Sequence, residues 1–383
     1  MQFFTTVFAA IVLAAPVFAA PAPLRKFHGR YIVKLKDGVA KSKVLIQLKN
    51  SEITHEWSIV HGFAGQFSED AVNVLRASSD VEYIAEDEIV TTSATQTNAP
   101  WGLARLSKPD KLANQNTRDL TFSYTYDNYA GFGVDVYVVD TGIYTAHSDF
   151  GGRARWGATF GGYPDTDGNG HGTHVAGIVA GTQFGVAKAA NVIAVKVLSG
   201  FGSGSISDVI SGLDWVASSV AASGRPSIAT LALAIGSTSI PLDNAVTSLV
   251  DRGIHVTVAA GNSNTDAGST SPARAAGAIT VGASTITDAR ASFSNYGAVV
   301  DIFAPGENII SAWIGSTTAT NNLSGTSIAT PHVAGLVAYL ISKHGNSPPA
   351  AITALIKSLS VKGILAGIRT FCVLRGALGR RDH

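Results

Sequence analysis

The sequence predicts an α/β fold, a buried parallel sheet with helices on both faces, preceded by a small ferredoxin-like α+β unit. Three observations predict it. From Trp101 onward, near-continuous apolar runs alternate with helical ones, as a sheet buried on both faces requires. Residues 29–91 instead read β-α-β-β-α-β, the order of a ferredoxin-like unit. The chain has 383 residues, enough for one large domain plus a small one.

The first twenty residues, MQFFTTVFAAIVLAAPVFAA, carry a short apolar run ending in small residues. This reads as a secretory signal over residues 1–20, cut near Ala19 or Ala20. The competing reading is a membrane anchor, but a spanning helix wants about 20 apolar residues and Pro16 interrupts a shorter run. GRYIVKLK then alternates apolar and polar residues, a strand pattern. A helix is expected from about Val39 to Lys49, and EWSIVHGFAGQF reads as two strands around Gly62. SEDAVNVLRAS offers Ser68 as an N-cap and Asp70 in the first turn. VEYIAEDEIV closes the unit with a strand. A span this short is small for an independent core, so it is expected to lean on a partner surface. TTSATQTNAP is polar and irregular, and reads as a linker and cleavage region.

In the larger part, VDVYVVD, NVIAVKVL, SIATLALAI and HVTVAAG are strands. HGTHVAGIVAGT, ISDVISGLDWVASSVAAS and NAVTSLVDRG are helices. Charged residues are 14% of the chain, against about 25% in an average soluble protein. With a net charge of +1, nothing points to nucleic acid or an anionic membrane as a partner. Cys372 is the single cysteine, so no intrachain disulfide can form. Asn322-Leu323-Ser324 is a glycosylation sequon.

Open parallel sheets place their sites beyond the carboxyl ends of strands. VDVYVVD ends in Asp140, and HVTVAAG runs into Asn262. His171 opens a small-residue helix, and Ser327 opens another in GTSIATPHVAG. Each alone reads as a cap or turn residue. Together they supply an acyl-transfer site. A serine hydroxyl needs a base within reach, which His171 would provide. The imidazole needs a carboxylate to fix its tautomer, the part of Asp140. The Asn262 amide and the Ser327 N–H, at a helix N-terminus, would hold an oxyanion. The rival reading is a metal held by His171 and His174, but no third ligand stands at suitable spacing on that helix. A phosphate-binding reading of GFGSGS fails for want of a P-loop lysine.

VVDTGI, GNGHGTHVAG, AAGN and GTSIATPHVAG resemble the subtilisin-like serine protease family. The Asp, His, Ser order and these roles are those known in subtilisin itself. QTNAPWGLARLS and FSNYG with VDIFAPG resemble the proteinase K branch, in particular the secreted alkaline proteases of fungi. The resemblance runs from about Gly29 to Gly367. It implies a signal peptide over 1–20, an inhibitory propeptide over 21–93 and a catalytic domain over 94–383, the last stretch from about 368 being atypical. It implies a secreted, monomeric endopeptidase, made as a zymogen that its own propeptide inhibits, acting on protein and peptide substrates. No cofactor is needed for the chemistry. Substrate would add as a strand between Ser203-Gly204-Ser205 and Ala232-Leu233-Ala234, where glycine lets a backbone approach closely. A structural calcium would use the Asp301 carboxylate and the carbonyls of Ala276 and Ala278.

Three departures from the family stand out. Its substrate strand reads Ser-Leu-Gly-Gly, whereas this chain has Ala232-Leu233-Ala234-Ile235. The added bulk predicts weakened activity or a shift toward small residues before the scissile bond, which a peptide panel varied there would read. A non-catalytic homologue acting as a binding protein is the alternative this strand raises. Ile328 replaces a methionine after the nucleophile, which predicts tolerance of peroxide. Finally, RTFCVLRGALGRRDH has no family counterpart.

Overall fold

In the computed structural model the described residues are 29–48, 51–87, 92–368 and 372–373. The expected signal at 1–20, residues 88–90 of the expected closing strand, Thr91 of the cleavage region and most of the atypical tail lie outside them.

The small unit consists of β1 (Arg30–Leu35), α1 (Lys41–Leu45), β2 (Glu52–Trp57), β3 (Gly62–Gln66), α2 (Glu69–Ala77) and β4 (Val81–Glu86). Its strands run β2-β3-β1-β4 with every neighbour antiparallel, the ferredoxin-like arrangement read from the sequence. Ser68 caps α2 as expected, its hydroxyl accepting the Ala71 N–H at 3.3 Å. Helix α1 is shorter than expected, and its N-cap residue Ala40 has no side chain able to accept a first-turn N–H. Val33, Leu35, Phe63, Phe67, Val72 and Leu75 form a core of the unit's own.

The larger part begins with β5 (Ser93–Ala99), α3 (Trp101–Ser107) and β6 (Phe122–Asp127). Here the structure departs from the linker expectation. Residues 93–99 pair antiparallel with β6, and the Thr95 and Thr125 hydroxyls meet at 3.2 Å across the pair. The polar composition had hidden an edge strand, whose partner lies some thirty residues downstream.

Next come β7 (Asp135–Asp140), β8 (Ala154–Thr159), α4 (His171–Ala180), β9 (Asn191–Lys196), α5 (Ile206–Ser223), β10 (Ser227–Leu231), α6 (Ile240–Asp251), β11 (His255–Ala259), β12 (Ile279–Ser284), β13 (Ile302–Pro305), β14 (Ile309–Ala312), β15 (Thr320–Leu323), α7 (Thr326–His344), α8 (Pro349–Leu359), β16 (Val361–Lys362) and β17 (Cys372–Val373). Seven strands, β13-β12-β11-β10-β7-β9-β8, form the parallel sheet, and the short β17 and β16 extend its β13 edge. Part of the atypical tail therefore pairs with the sheet.

Strand β7 shows why the run between its end aspartates must be apolar. Val136 and Val138 face a core shared with α4 and α7. Tyr137 and Val139 face the opposite core with α5 and α6. Helices on both faces leave no polar side. β9 lies to one side of β7 and β10 to the other, so the chain reverses its direction of addition at β7. Asp140 stands at the carboxyl end of that strand, where such sheets hold their sites.

Candidate active site

Asp140, 0% exposed, is fixed by the Thr141 N–H, which donates to its Oδ1 at 2.7 Å. His171 is the first residue of α4, and its Nδ1 lies 2.9 Å from both Asp140 oxygens. Its Nε2 lies 3.2 Å from Ser327 Oγ in the first turn of α7. Residues from β7, α4 and α7, up to 187 positions apart, thus form one hydrogen-bonded row. Burial pulls the His171 pKa down, but the Asp140 charge and hydrogen bond, with the Asp167 charge, leave it raised from 6.5.

The two groups expected to hold an oxyanion lie near the same serine. Asn262 follows β11, and its Oδ1 accepts both the Thr326 N–H and the Thr326 hydroxyl at 2.8 Å. The Thr326 hydroxyl in turn accepts the Gly261 N–H at 3.0 Å. This clamp commits the amide oxygen and leaves Nδ2 to face the serine. A methyl built on Gly325 would stand 2.9 Å from Ser327 Oγ, 3.5 Å from Asn262 Nδ2 and 3.6 Å from the Ser327 N. Ser327 Oγ, Asn262 Nδ2 and the Ser327 N therefore lie on the same side of Gly325, where a side chain would crowd the serine hydroxyl.

Several residues that build this arrangement escaped the sequence reading. Asp167, buried four residues before His171, accepts five hydrogen bonds. Its Oδ1 takes the Thr141 hydroxyl at 2.9 Å and the N–H groups of Asn169 and Gly170 at 3.0 and 2.8 Å. Its Oδ2 takes the Thr173 N–H and hydroxyl at 3.0 and 2.6 Å. It thereby ties the end of β7 to the start of α4. Lys196, 1% exposed and paired in register with Asp140, donates to the Thr141 carbonyl at 2.5 Å. An aspartate just before a helix start was a readable cap signal; the lysine, inside an apolar strand, gave none.

His174 points away from this row. It is fully buried, with Nε2 against the carbonyls of Ile309 and Asn321 at 3.0 and 3.2 Å, and burial holds its pKa down at about 3. The rival metal pairing with His171 therefore lacks its second ligand. Among the described residues no cluster of three or more His, Cys, Asp or Glu could hold a metal.

Ser203, Gly204 and Ser205 lie exposed after β9. Ala232, Leu233 and Ala234 follow β10 and pass from buried to exposed. The two segments flank the end of β7. Gly204 has a different reason from the one expected: a Cβ there would lie 2.2 Å from the Val197 carbonyl, so packing within the chain demands glycine. Ser205 is the N-cap of α5, its hydroxyl accepting the Asp208 N–H at 3.0 Å. Ile235 is partly buried, and its N–H donates to the Ser271 carbonyl at 2.9 Å. Ile328 is 1% exposed, packed among Trp101, Phe122, Ile178 and Ile309. Asn322 lies in β15, opposite Ile310.

The calcium expectation meets an occupied carboxylate. Asp301 Oδ1 is 2.5 Å from Lys357 Nζ, and its Oδ2 accepts the Thr280 N–H at 2.9 Å. The Ala276 carbonyl accepts the Thr247 hydroxyl at 3.4 Å. These groups do not fit a calcium site as they stand.

Comparison with known proteins places the chain in a family. Residues 131–367 match the Subtilase family and residues 30–93 match Peptidase inhibitor I9. The subtilisin-like serine protease Pen ch 18 of Penicillium rubens is 49% identical over 320 residues, covering 81% of this chain and 64% of the relative. The chain thus spans under two thirds of that relative's length. The cuticle-degrading protease of Metarhizium anisopliae is 42% identical over 374 residues, covering 93% and 94% of the two chains. The crystal structure of a cold adapted subtilisin-like serine proteinase superposes with a TM-score of 0.65 at 42% identity, covering 73% of this chain and 98% of its own. With the Subtilase match covering more than half of its residues and an inhibitor I9 unit in front, the chain belongs to the subtilase family of serine proteases.

Proposed function

We propose that the chain is a serine endopeptidase, made as a secreted zymogen that processes itself. The observation that carries this reading is the hydrogen-bonded row from Asp140 through His171, whose Nε2 lies 3.2 Å from Ser327 Oγ. A peptide carbonyl brought to Ser327 Oγ would have Asn262 Nδ2 and the Ser327 N–H nearby to receive its oxygen. Ser327 attacks while His171 Nε2 takes its proton, and Asp140 stabilises the imidazolium. The tetrahedral oxyanion is held by Asn262 Nδ2 and the Ser327 N–H. His171 returns the proton to the leaving amine, and water then repeats the sequence to release the acid. Besides water, the chemistry would use side chains and amides of this chain.

The proposed domains are a signal over 1–20, a propeptide over 21–93 and a catalytic part from 94. Among the described residues no helix is long and apolar enough to cross a membrane. A cut near Thr91–Ala94 would leave β5 paired to β6 as the new amino-terminal strand. An active-serine phosphonate tests the whole reading. Wild-type protein should shorten to a species beginning near Ala94 and take the label on Ser327. Protein that stays full-length and unlabelled would remove the enzyme reading.

The acid limb of activity follows from His171. Only the neutral imidazole can accept the serine proton, and its pKa is raised from 6.5, so more alkaline solution is needed to deprotonate it. kcat/KM should fall as pH drops through a value above 6.5. Asp167→Asn removes one of the charges that raise it, so the limb should move to lower pH. A pH–rate profile of both proteins checks this, and an unmoved limb contradicts it.

A further inference from the structure

We infer that the Lys357 ammonium takes the cation position at Asp301, so that this carboxylate is satisfied from within the chain and not by calcium. Four observations carry the inference. Lys357 sits in the last turn of α8, where the helix carbonyl ends favour a cation. Its Nζ reaches Asp301 Oδ1 at 2.5 Å. The other oxygen, Oδ2, already accepts the Thr280 N–H, while the Asp301 N–H donates back to the Thr280 carbonyl at 2.9 Å. That reciprocal pair fixes the carboxylate at the start of β13, facing the helix.

Calcium requires six to eight oxygen ligands. Here the only carboxylate among Asp301, Ala276 and Ala278 has a donor on each oxygen, and one of those donors carries a full positive charge. A divalent ion at that place would have to expel the ammonium or sit against it. The lysine also does what a bound ion would do mechanically. It ties α8, whose Ile352 and Ile356 are buried in the main core, to the strand entry at Asp301. The link spans 56 residues of sequence and needs no ligand from solution.

The test uses the full-length chain carrying Ser327→Ala, to suppress self-digestion, and it reads unfolding and not activity. It therefore stands or falls independently of the proposed catalytic role. Melting temperature is measured in excess calcium and in excess EDTA for this protein, for Lys357→Ala and for Asp301→Asn. The parent should show no calcium response that depends on Asp301. Lys357→Ala should gain one, with a higher melting temperature in calcium than in EDTA, because binding to the native state stabilises it. Two results overturn the inference: a calcium response in the parent that Asp301→Asn abolishes, or no gain of response in Lys357→Ala. A parent response that survives in Asp301→Asn arises elsewhere and upholds it. Should Lys357→Ala fold poorly, Lys357→Met, which keeps the aliphatic stem, replaces it with the same expected gain.

Discussion

Ser327→Ala protein should accumulate at full length, and its residual kcat should fall by about 10⁶-fold, the size of the corresponding loss in subtilisin. The row from Asp140 through His171 ends on a single oxygen, and a methyl group in its place has no proton to give and no lone pair to attack with. The donors at Asn262 and the Ser327 N–H survive the change, so peptide should still bind, and the loss should fall on kcat and not on KM. Gel mobility during expression and single-turnover peptide hydrolysis read the two arms. Processing that proceeds normally in this variant would place the cut in another protease's hands.

Asn262→Ala should lower kcat by about 10² to 10³, or about 2.7–4 kcal/mol, as loss of one oxyanion donor does in subtilisin. Two effects lie behind the number in this chain. The Nδ2 donor beside Gly325 is removed, and the Thr326 N–H and hydroxyl lose their shared acceptor. Thr326→Val separates them, because it removes the hydroxyl contact and leaves the amide donor of Asn262 in the chain. Thr326→Val should therefore cost less in kcat than Asn262→Ala. Equal losses would mean that Asn262 acts only by holding the helix start. Peptide kinetics under saturating substrate give both values.

Much of this was legible from residues alone because the relevant signals are local. Asp140, His171, Asn262 and Ser327 each close a strand or open a helix, and in a parallel sheet such ends converge by topology. The α2 cap and the strand order of the small unit were equally local. What escaped depends on partners distant in sequence. The strand at 93–99 reads as polar loop until β6 is placed beside it. Gly204 looks like a concession to substrate until the Val197 carbonyl appears behind it. Asp301 looks open until α8 brings Lys357 across. Lys196 carries no sequence signal at all, since a lysine in an apolar strand has meaning only through the Thr141 carbonyl it meets.

The separate core of the small unit bears on how inhibition would end. While covalently joined, a folded inhibitor faces its own enzyme at an effective concentration in the millimolar range. If the core of Val33, Phe63, Val72 and their neighbours holds that shape after a cut, cleavage alone would not liberate the enzyme. Dilution would. Once the chain before Ser93 is cut, occupancy in the proposed zymogen would depend on how much free inhibitor surrounds each enzyme, and release into a large volume would lower that by orders of magnitude. In the proposed zymogen the compartment around the protein, as much as the bond that breaks, would then decide when proteolysis starts.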